Sequence, residues 1–215
     1  MTTYYELESS NLVRQKVPIL AETAAKVADL QVRNKGTIGG SLAHADPAAD
    51  IPAALLALDA RIKTRDPSKA RSLKANHFFL DIFTSALSDL ELITEILVPI
   101  PPHCSGWSYQ KMANKASHYA IVGVAAMVTL NKDRQCSSIR VGITGAGPSP
   151  VRASITEKYL KGKVTTPLTL RRASERSSQG IDCLEDLHAS SEFREHLIRI
   201  LTFRALEEAI SRATN

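Results

Sequence analysis

Three glycines fall within five residues, Gly36, Gly39 and Gly40, and small hydroxyl residues lie between and beside them in Lys35–Ser41. Glycine admits positive φ and lets a ligand come close to the backbone. Successive N–H groups in such a bend form an anion-binding concavity. One reading is a diphosphate cradle, with the amides of Ile38, Gly39, Gly40 and Ser41 and the Thr37 hydroxyl as donors. The other is a plain tight turn. His44, Asp46 and Asp50 follow directly and add polar groups of the kind that sugar and sugar-alcohol hydroxyls of a dinucleotide require. Alone, His44 reads as a satisfied buried histidine. With Asp46 and Asp50 it lacks a fourth metal ligand, and Asp46 is better used as a helix cap, so no metal site is expected.

The order of elements is expected to be α+β. Pro18–Leu30 reads as a helix, with Leu20, Ala24 and Val27 on one face. Gln31–Leu42 follows as the glycine loop. Asp46-Pro47 reads as the cap and first turn of a second, deeply buried helix. Arg61–Arg65 and Leu92–Pro99 read as strands, with Phe78, Phe79, Ile82 and Phe83 as an apolar cluster between them. Trp107–Ala113, Ala120–Leu130 and Ser137–Thr144 alternate as strands, the last two antiparallel across Asn131-Lys132-Asp133. Helices are expected at Arg152–Leu160, Pro167–Ser178 and Ser190–Ala213. The last carries two apolar faces, one containing Leu197 and Leu201 and the other Leu206 and Ala209, and is expected to touch two surfaces.

With 44% hydrophobic residues and a net charge of +5, the chain is a globular one that can bury a core. The charge is spread along it, which argues against nucleic acid. Arg61, Lys63, Arg65, Lys69, Arg71 and Lys74 oppose only Asp66; this is a docking surface or the wet face of a hairpin. Cys104, Cys136 and Cys183 show no C-x-x-C spacing, so neither zinc nor cluster ligands are encoded, and free thiols suit the cytoplasm. No apolar run approaches a membrane span. Gly142–Gly147 follows a strand but precedes Pro148, so it reads as a strand-end turn rather than a dinucleotide fingerprint. Lys111 either points to solvent or faces a cleft. No nucleophile elbow, P-loop or acid–base carboxylate pair is present, and no catalytic residue is assigned.

The run from Val32 to Asp50, VRNKGTIGGSLAHADPAAD, resembles the second flavin motif of the FAD-binding medium subunit of molybdenum hydroxylases. The carbon monoxide dehydrogenase medium chain is the nearer type and the xanthine dehydrogenase FAD domain the more distant. Leu92–Pro99, Tyr109–Gly123, Ile139–Gly145 and Ser190–His196 follow in the family's order, so the resemblance runs from about Leu12 to Ala213. It implies an N-terminal α/β segment of a PCMH-type FAD-binding domain, 1–100, followed by a C-terminal domain, 101–215, of antiparallel sheet with helices packed on one side. It implies that Thr37, Ile38, Gly39, Gly40 and Ser41 contact the FAD diphosphate and adjoining groups. It places Asp50 on a ribityl-side hydroxyl, Ile93 against the isoalloxazine and Lys111 at the flavin's polar edge.

The resemblance further implies an oxidoreductase component without substrate chemistry of its own. It would take electrons from iron–sulfur clusters and pass them through flavin to an external acceptor. The molybdenum cofactor and [2Fe-2S] clusters would lie on a large and a small partner subunit, in a hetero-oligomer. Nothing before Leu12 resembles the family's first flavin motif, so the N-terminal FAD-binding subdomain is expected to be missing. A second expectation therefore stands beside the first: a truncated, non-catalytic fragment that keeps the fold and docking surface but does not bind FAD on its own.

Overall fold

The computed structural model describes residues 1–214. Its first quarter is a series of short helices, most of them started by a local side-chain cap. α1 (Tyr4–Ser9) is closed by a capping box in which Thr3 and Glu6 exchange bonds, and Ser10 caps α2 (Asn11–Lys16). α3 (Pro18–Ala25) opens on a proline at its first turn. The expected helix to Leu30 stops five residues early. Ala28 takes φ +38°, and the Asp29 carboxylate accepts from the Val32 amide to start α4 (Leu30–Lys35). The stretch expected as a glycine loop is thus α4, a break at Gly36-Thr37, and α5 (Ile38–His44), which Thr37 caps. α6 (Asp50–Ala57) is buried along its whole length. It begins at Asp50, not at Asp46-Pro47: the Asp46 carboxylate instead closes a turn on the Ala48 amide at 2.8 Å.

β1 (Arg61–Arg65) pairs antiparallel with both β2 (Ala70–Lys74) and β5 (Leu92–Leu97). The basic run is therefore a hairpin, and Lys63 is paired with Glu95 and Arg71 with Glu91. Between β2 and β5, the small hairpin β3 (Phe79–Asp81) and β4 (Thr84–Ser85) buries Phe78 and Phe79 edge to face. Ile82 and Phe83, expected in that cluster, are exposed at its tip because the turn Asp81–Thr84 closes there on its own polar groups.

The second sheet has the order β6–β7–β8–β9, all antiparallel: β6 (Ser105–Ala113), β7 (Ala120–Leu130), β8 (Cys136–Thr144) and β9 (Val151–Arg152). β9 takes up the residues expected to open a helix, so α7 (Ser154–Leu160) starts later, and Arg152 bonds Glu157 instead. α8 (Pro167–Ser174) and α9 (Ser191–Ala213) complete the chain. Val122, Val124, Ala126 and Val128 of β7 form one core with Leu197, Ile198, Leu201 and Leu206 of α9 and with α7 and α8. Both apolar faces of α9 are satisfied within this core, which also holds Leu170 and Ala173 of α8, so the second surface is α8. Tyr109, Ala125 and Met127 point the other way into a core with Ile51, Leu55 and Leu56 of α6. The C-terminal helices thus cover one face of the sheet, and the N-terminal segment covers the other.

Helix and strand approach so closely that side chains are excluded at two strand positions. A Cβ on Gly142 would lie 2.2 Å from the Ala53 carbonyl of α6, and one on Gly106 would lie 1.7 Å from the Ala209 carbonyl of α9. No helix among the described residues is long and apolar enough to cross a membrane.

Gly142→Ala must push α6 off the sheet and is expected to lower unfolding free energy by roughly 1–3 kcal/mol in urea melts. Glu91, whose side chain is fully covered, accepts from Arg71, Thr64 and Ser88. The Arg71 guanidinium above all holds its carboxyl well below the usual range. Its contribution is therefore intact above the unfolded glutamate value of about 4.3 and is lost as pH falls toward the native value. Acid titration followed by circular dichroism should show a flatter acid limb for Glu91→Gln than for the natural chain; parallel curves would contradict this.

Candidate functional site

The glycine motif sits against the start of the chain. Tyr4 N–H donates to the Gly36 carbonyl and Ile38 N–H to the Thr2 carbonyl, each at 3.0 Å. A Cβ at Gly36 would come within 2.5 Å of the Tyr4 ring, so only glycine lets the two segments meet. This junction forms one wall of a cleft of about 420 Å³. Val32 and Lys35 of α4, Gly40 and Ser41 of α5, Asp50 of α6 and the turn Ser117–Tyr119 complete it. A size of this order is typical of small-molecule sites.

The motif's amides are not all free, which corrects the four-donor reading. Ile38 N–H is spent on Thr2, Gly40 N–H on the Thr37 hydroxyl oxygen and Ser41 N–H on the Thr37 carbonyl, because Thr37 caps a helix here. Gly39 N–H has no carbonyl within its own short helix to bond, and the space where a Gly39 side chain would lie is open, but Gly39 stands outside the cleft lining. Ser41 lines the cleft; its hydroxyl is buried, lies by the Tyr4 phenol and makes no well-aligned hydrogen bond among the described residues. A buried orphan hydroxyl is a cost that a ligand's polar group can remove. The cation of Lys35, the hydroxyl residues Thr37 and Ser41 and the carboxylate of Asp50 in one lining fit a phosphorylated, polyhydroxylated ligand.

Asp50 is the buried charged group of the cleft, whose lining also holds Lys35 and Asp46. It sits on the first turn of α6 and is almost wholly buried. Its Oδ2 accepts from Lys111 Nζ at 2.9 Å, and its Oδ1 accepts from the Tyr109 hydroxyl. Lys111 also donates to the Lys26 carbonyl at 2.9 Å, and only 5% of its side chain is exposed. The solvent reading of Lys111 is thus overturned: its strand alternation points it at α6. Burial pushes the Asp50 carboxyl above the usual carboxylate range, against the opposing pull of Lys111 and Tyr109. Burial also raises the Tyr109 phenol well above its ordinary value, so it stays protonated and acts as a donor.

The other expected residues are more scattered. Ile38 is turned into the core. Ile93 lies on β5 opposite Thr64, half-buried against the N-terminal core and outside the cleft lining. His44 is exposed rather than buried; it lines the cleft, and its ring lies 4.9 Å from that of Phe83. Lys111 borders a separate, shallower hollow with Lys26 and His118. Tyr4 and Tyr109 were not singled out from the sequence. For Tyr109 the signal was present, since it stands two residues before Lys111 and so shares its strand face.

Residues 1–101 match the FAD binding domain in molybdopterin dehydrogenase, and residues 107–209 match the CO dehydrogenase flavoprotein C-terminal domain. The likeness thus includes the residues before Leu12. The chain is 36% identical over 213 residues to the 6-hydroxypseudooxynicotine dehydrogenase complex subunit alpha of Paenarthrobacter nicotinovorans, covering 99% of this chain and 72% of that protein. It is 33% identical to the carbon monoxide dehydrogenase medium chain of Hydrogenophaga pseudoflava, over 99% of this chain and 74% of the relative. A solved structure of that carbon monoxide dehydrogenase, lacking the Mo-pyranopterin moiety of the molybdenum cofactor, superposes with a TM-score of 0.95 at 34% identity, over 99% of this chain and 74% of its counterpart.

Removing one partner of a buried ion pair leaves an uncompensated charge. Lys111→Met is expected to cost about 3–5 kcal/mol in urea unfolding, and the double variant Asp50→Asn/Lys111→Met to recover part of it. Full additivity would show that the two side chains are not coupled.

Proposed function

The chain belongs to the FAD-binding flavoprotein family of molybdopterin dehydrogenases, and on that premise we propose that it is the flavin subunit of a molybdenum-containing hydroxylase or dehydrogenase. The buried, unpaired Ser41 hydroxyl and the Asp50 carboxylate, on residues that line one cleft, carry this reading. Thr37, Gly39, Gly40 and Ser41 would meet the diphosphate and its neighbours, and Asp50 would accept from a hydroxyl of the sugar or ribityl chain. Ile38 would serve from behind, by packing the turn in place. Lys111 would act by balancing Asp50, and Ile93 is the proposed apolar neighbour of the ring. Bound flavin supplies electron transfer between one-electron and two-electron partners; the protein binds, orients and tunes it.

In this reading electrons arrive from iron–sulfur clusters on a small subunit, after oxidation at the molybdenum cofactor of a large subunit, and leave for an external acceptor. The assembly is a cytoplasmic hetero-oligomer. Its flavin subunit divides near residue 100 into a unit that supplies the glycine motif and a unit that supplies β6 and α9. The exposed basic side chains Arg61, Arg65, Lys69 and Lys74 offer a surface for an acidic partner.

The purified chain, mixed with FAD and passed over a sizing column, should retain flavin absorbance. Ser41→Ala should weaken FAD binding by about tenfold, the loss of one hydrogen bond. The same change should leave the FAD-free protein as stable or more stable, because it deletes an unsatisfied buried hydroxyl. A folded but colourless protein would contradict the proposal and favour a fragment that keeps only the fold and docking surface.

A further inference from the structure

Asp50 could serve a bound cofactor only if its carboxylate were both charged and fixed, and burial opposes the charge. Lys111 supplies the counter-charge, but a single ammonium leaves the carboxylate free to swing on its own rotamers. The second oxygen is held by Tyr109, a fully buried side chain whose hydroxyl meets no solvent. Tyr109 is itself pinned on its backbone: its amide donates to Glu22 Oε1 at 2.9 Å, and its carbonyl accepts from Lys26. Glu22 in turn accepts from Arg212 of α9 at 2.6 Å. A polar chain therefore runs from α9 through β6 to the carboxylate in the cleft, and Tyr109 is its last link.

We infer that Tyr109 is a positioning residue of the cofactor cleft, which through Asp50 sets the direction and charge of the carboxylate offered to the cofactor's hydroxyls. This rests on the flavin reading given above. The assignment follows from geometry: each carboxylate oxygen has one dedicated donor from β6, and the two donors sit two residues apart on one strand face. The remaining lone pairs of Asp50 are thereby aimed away from β6. The charged or titratable groups facing Asp50 are Tyr109 and Lys111 from β6, Lys26 beyond α3 and Tyr4 from α1. Tyr109 and Tyr4 can each be altered without changing net charge or leaving a large void, by removing one oxygen, and of the two it is Tyr109 whose hydroxyl bonds the carboxylate.

The test uses the full chain and the variants Tyr109→Phe, Asp50→Asn and their combination. In the FAD-free protein, the Asp50 carboxyl is followed by carbon-13 NMR against pH. Tyr109→Phe should move its titration upward, because one donor to the charged form is gone. A tyrosine fluorinated beside the hydroxyl, a stronger donor of nearly the same shape, should move it downward and serves if the Phe variant does not fold. An unchanged Asp50 titration in either variant would overturn the inference, whether or not FAD binds. With FAD, flavin fluorescence quenching should give binding about tenfold weaker for Tyr109→Phe, as for a hydrogen bond to a charged group. The same substitution should have almost no further effect in the Asp50→Asn background. Equal losses in both backgrounds would show that Tyr109 acts by packing alone and would overturn the proposal. Failure of the natural chain to bind FAD, with the NMR shift intact, would overturn the flavin reading only.

Discussion

The cleft depends on a junction between two parts of the chain that are far apart in sequence. Asp50, on the first turn of α6, is bound by two side chains of β6, Tyr109 and Lys111. Around that contact the Thr144 hydroxyl bonds the carbonyls of Pro47 and Ala49 at 2.8 and 2.7 Å, and Lys26 bonds the Tyr109 carbonyl. A buried ion pair is not a net source of stability by default, because desolvation offsets most of the attraction. Its use here is register. It fixes where α6 sits on the sheet, and the sheet cannot drift because Gly142 lets the α6 backbone lie almost directly on β8.

That placement determines what the cleft offers. The turn at Asp46–Ala49 is tied to the end of β8, Ser41 is carried on α5 just before it, and Tyr4 closes the far side through Gly36. The glycine motif is therefore less a loop wrapped around a ligand than a short helix start braced on both sides. Most of its amides are committed to that bracing. What the lining keeps for a ligand is Ser41, the carboxylates of Asp50 and Asp46 and the Lys35 ammonium, a small set of polar groups in a largely apolar hollow. Such sparse, preorganised polarity is how small-molecule sites obtain orientation without a large desolvation cost.

Much of the fold was legible in the sequence where one period dominated. Val122 to Leu130 alternates cleanly, and Ser190 caps a long periodic run, so β7 and α9 were read nearly to the residue. The reading failed where two local signals competed. Lys26 to Leu30 continues a helical pattern, but Asp29 caps a new helix and wins. Asp46-Pro47 has the form of a helix start, yet the Asp46 carboxylate reaches the Ala48 amide first. The direction of Lys111 was undecided because alternation gives the two faces of a strand without saying which is covered, and here both are. The Asp50–Tyr109–Lys111 contact spans some sixty positions, so no local pattern could show it. The expected positions of Thr37, Gly40, Ser41 and Asp50 do converge on one cleft, whereas Ile38, Gly39, Ile93 and Lys111 stand outside its lining.

The account's central claim is that this cleft receives a flavin nucleotide through Ser41 and Asp50. A crystal structure of the chain grown with FAD would test it most directly. The account predicts density for the nucleotide in the cleft, with a polar atom of it bonded to the Ser41 hydroxyl and a hydroxyl donating to Asp50. Flavin density at another place on the surface, with the Ser41 hydroxyl still unbonded, would contradict it.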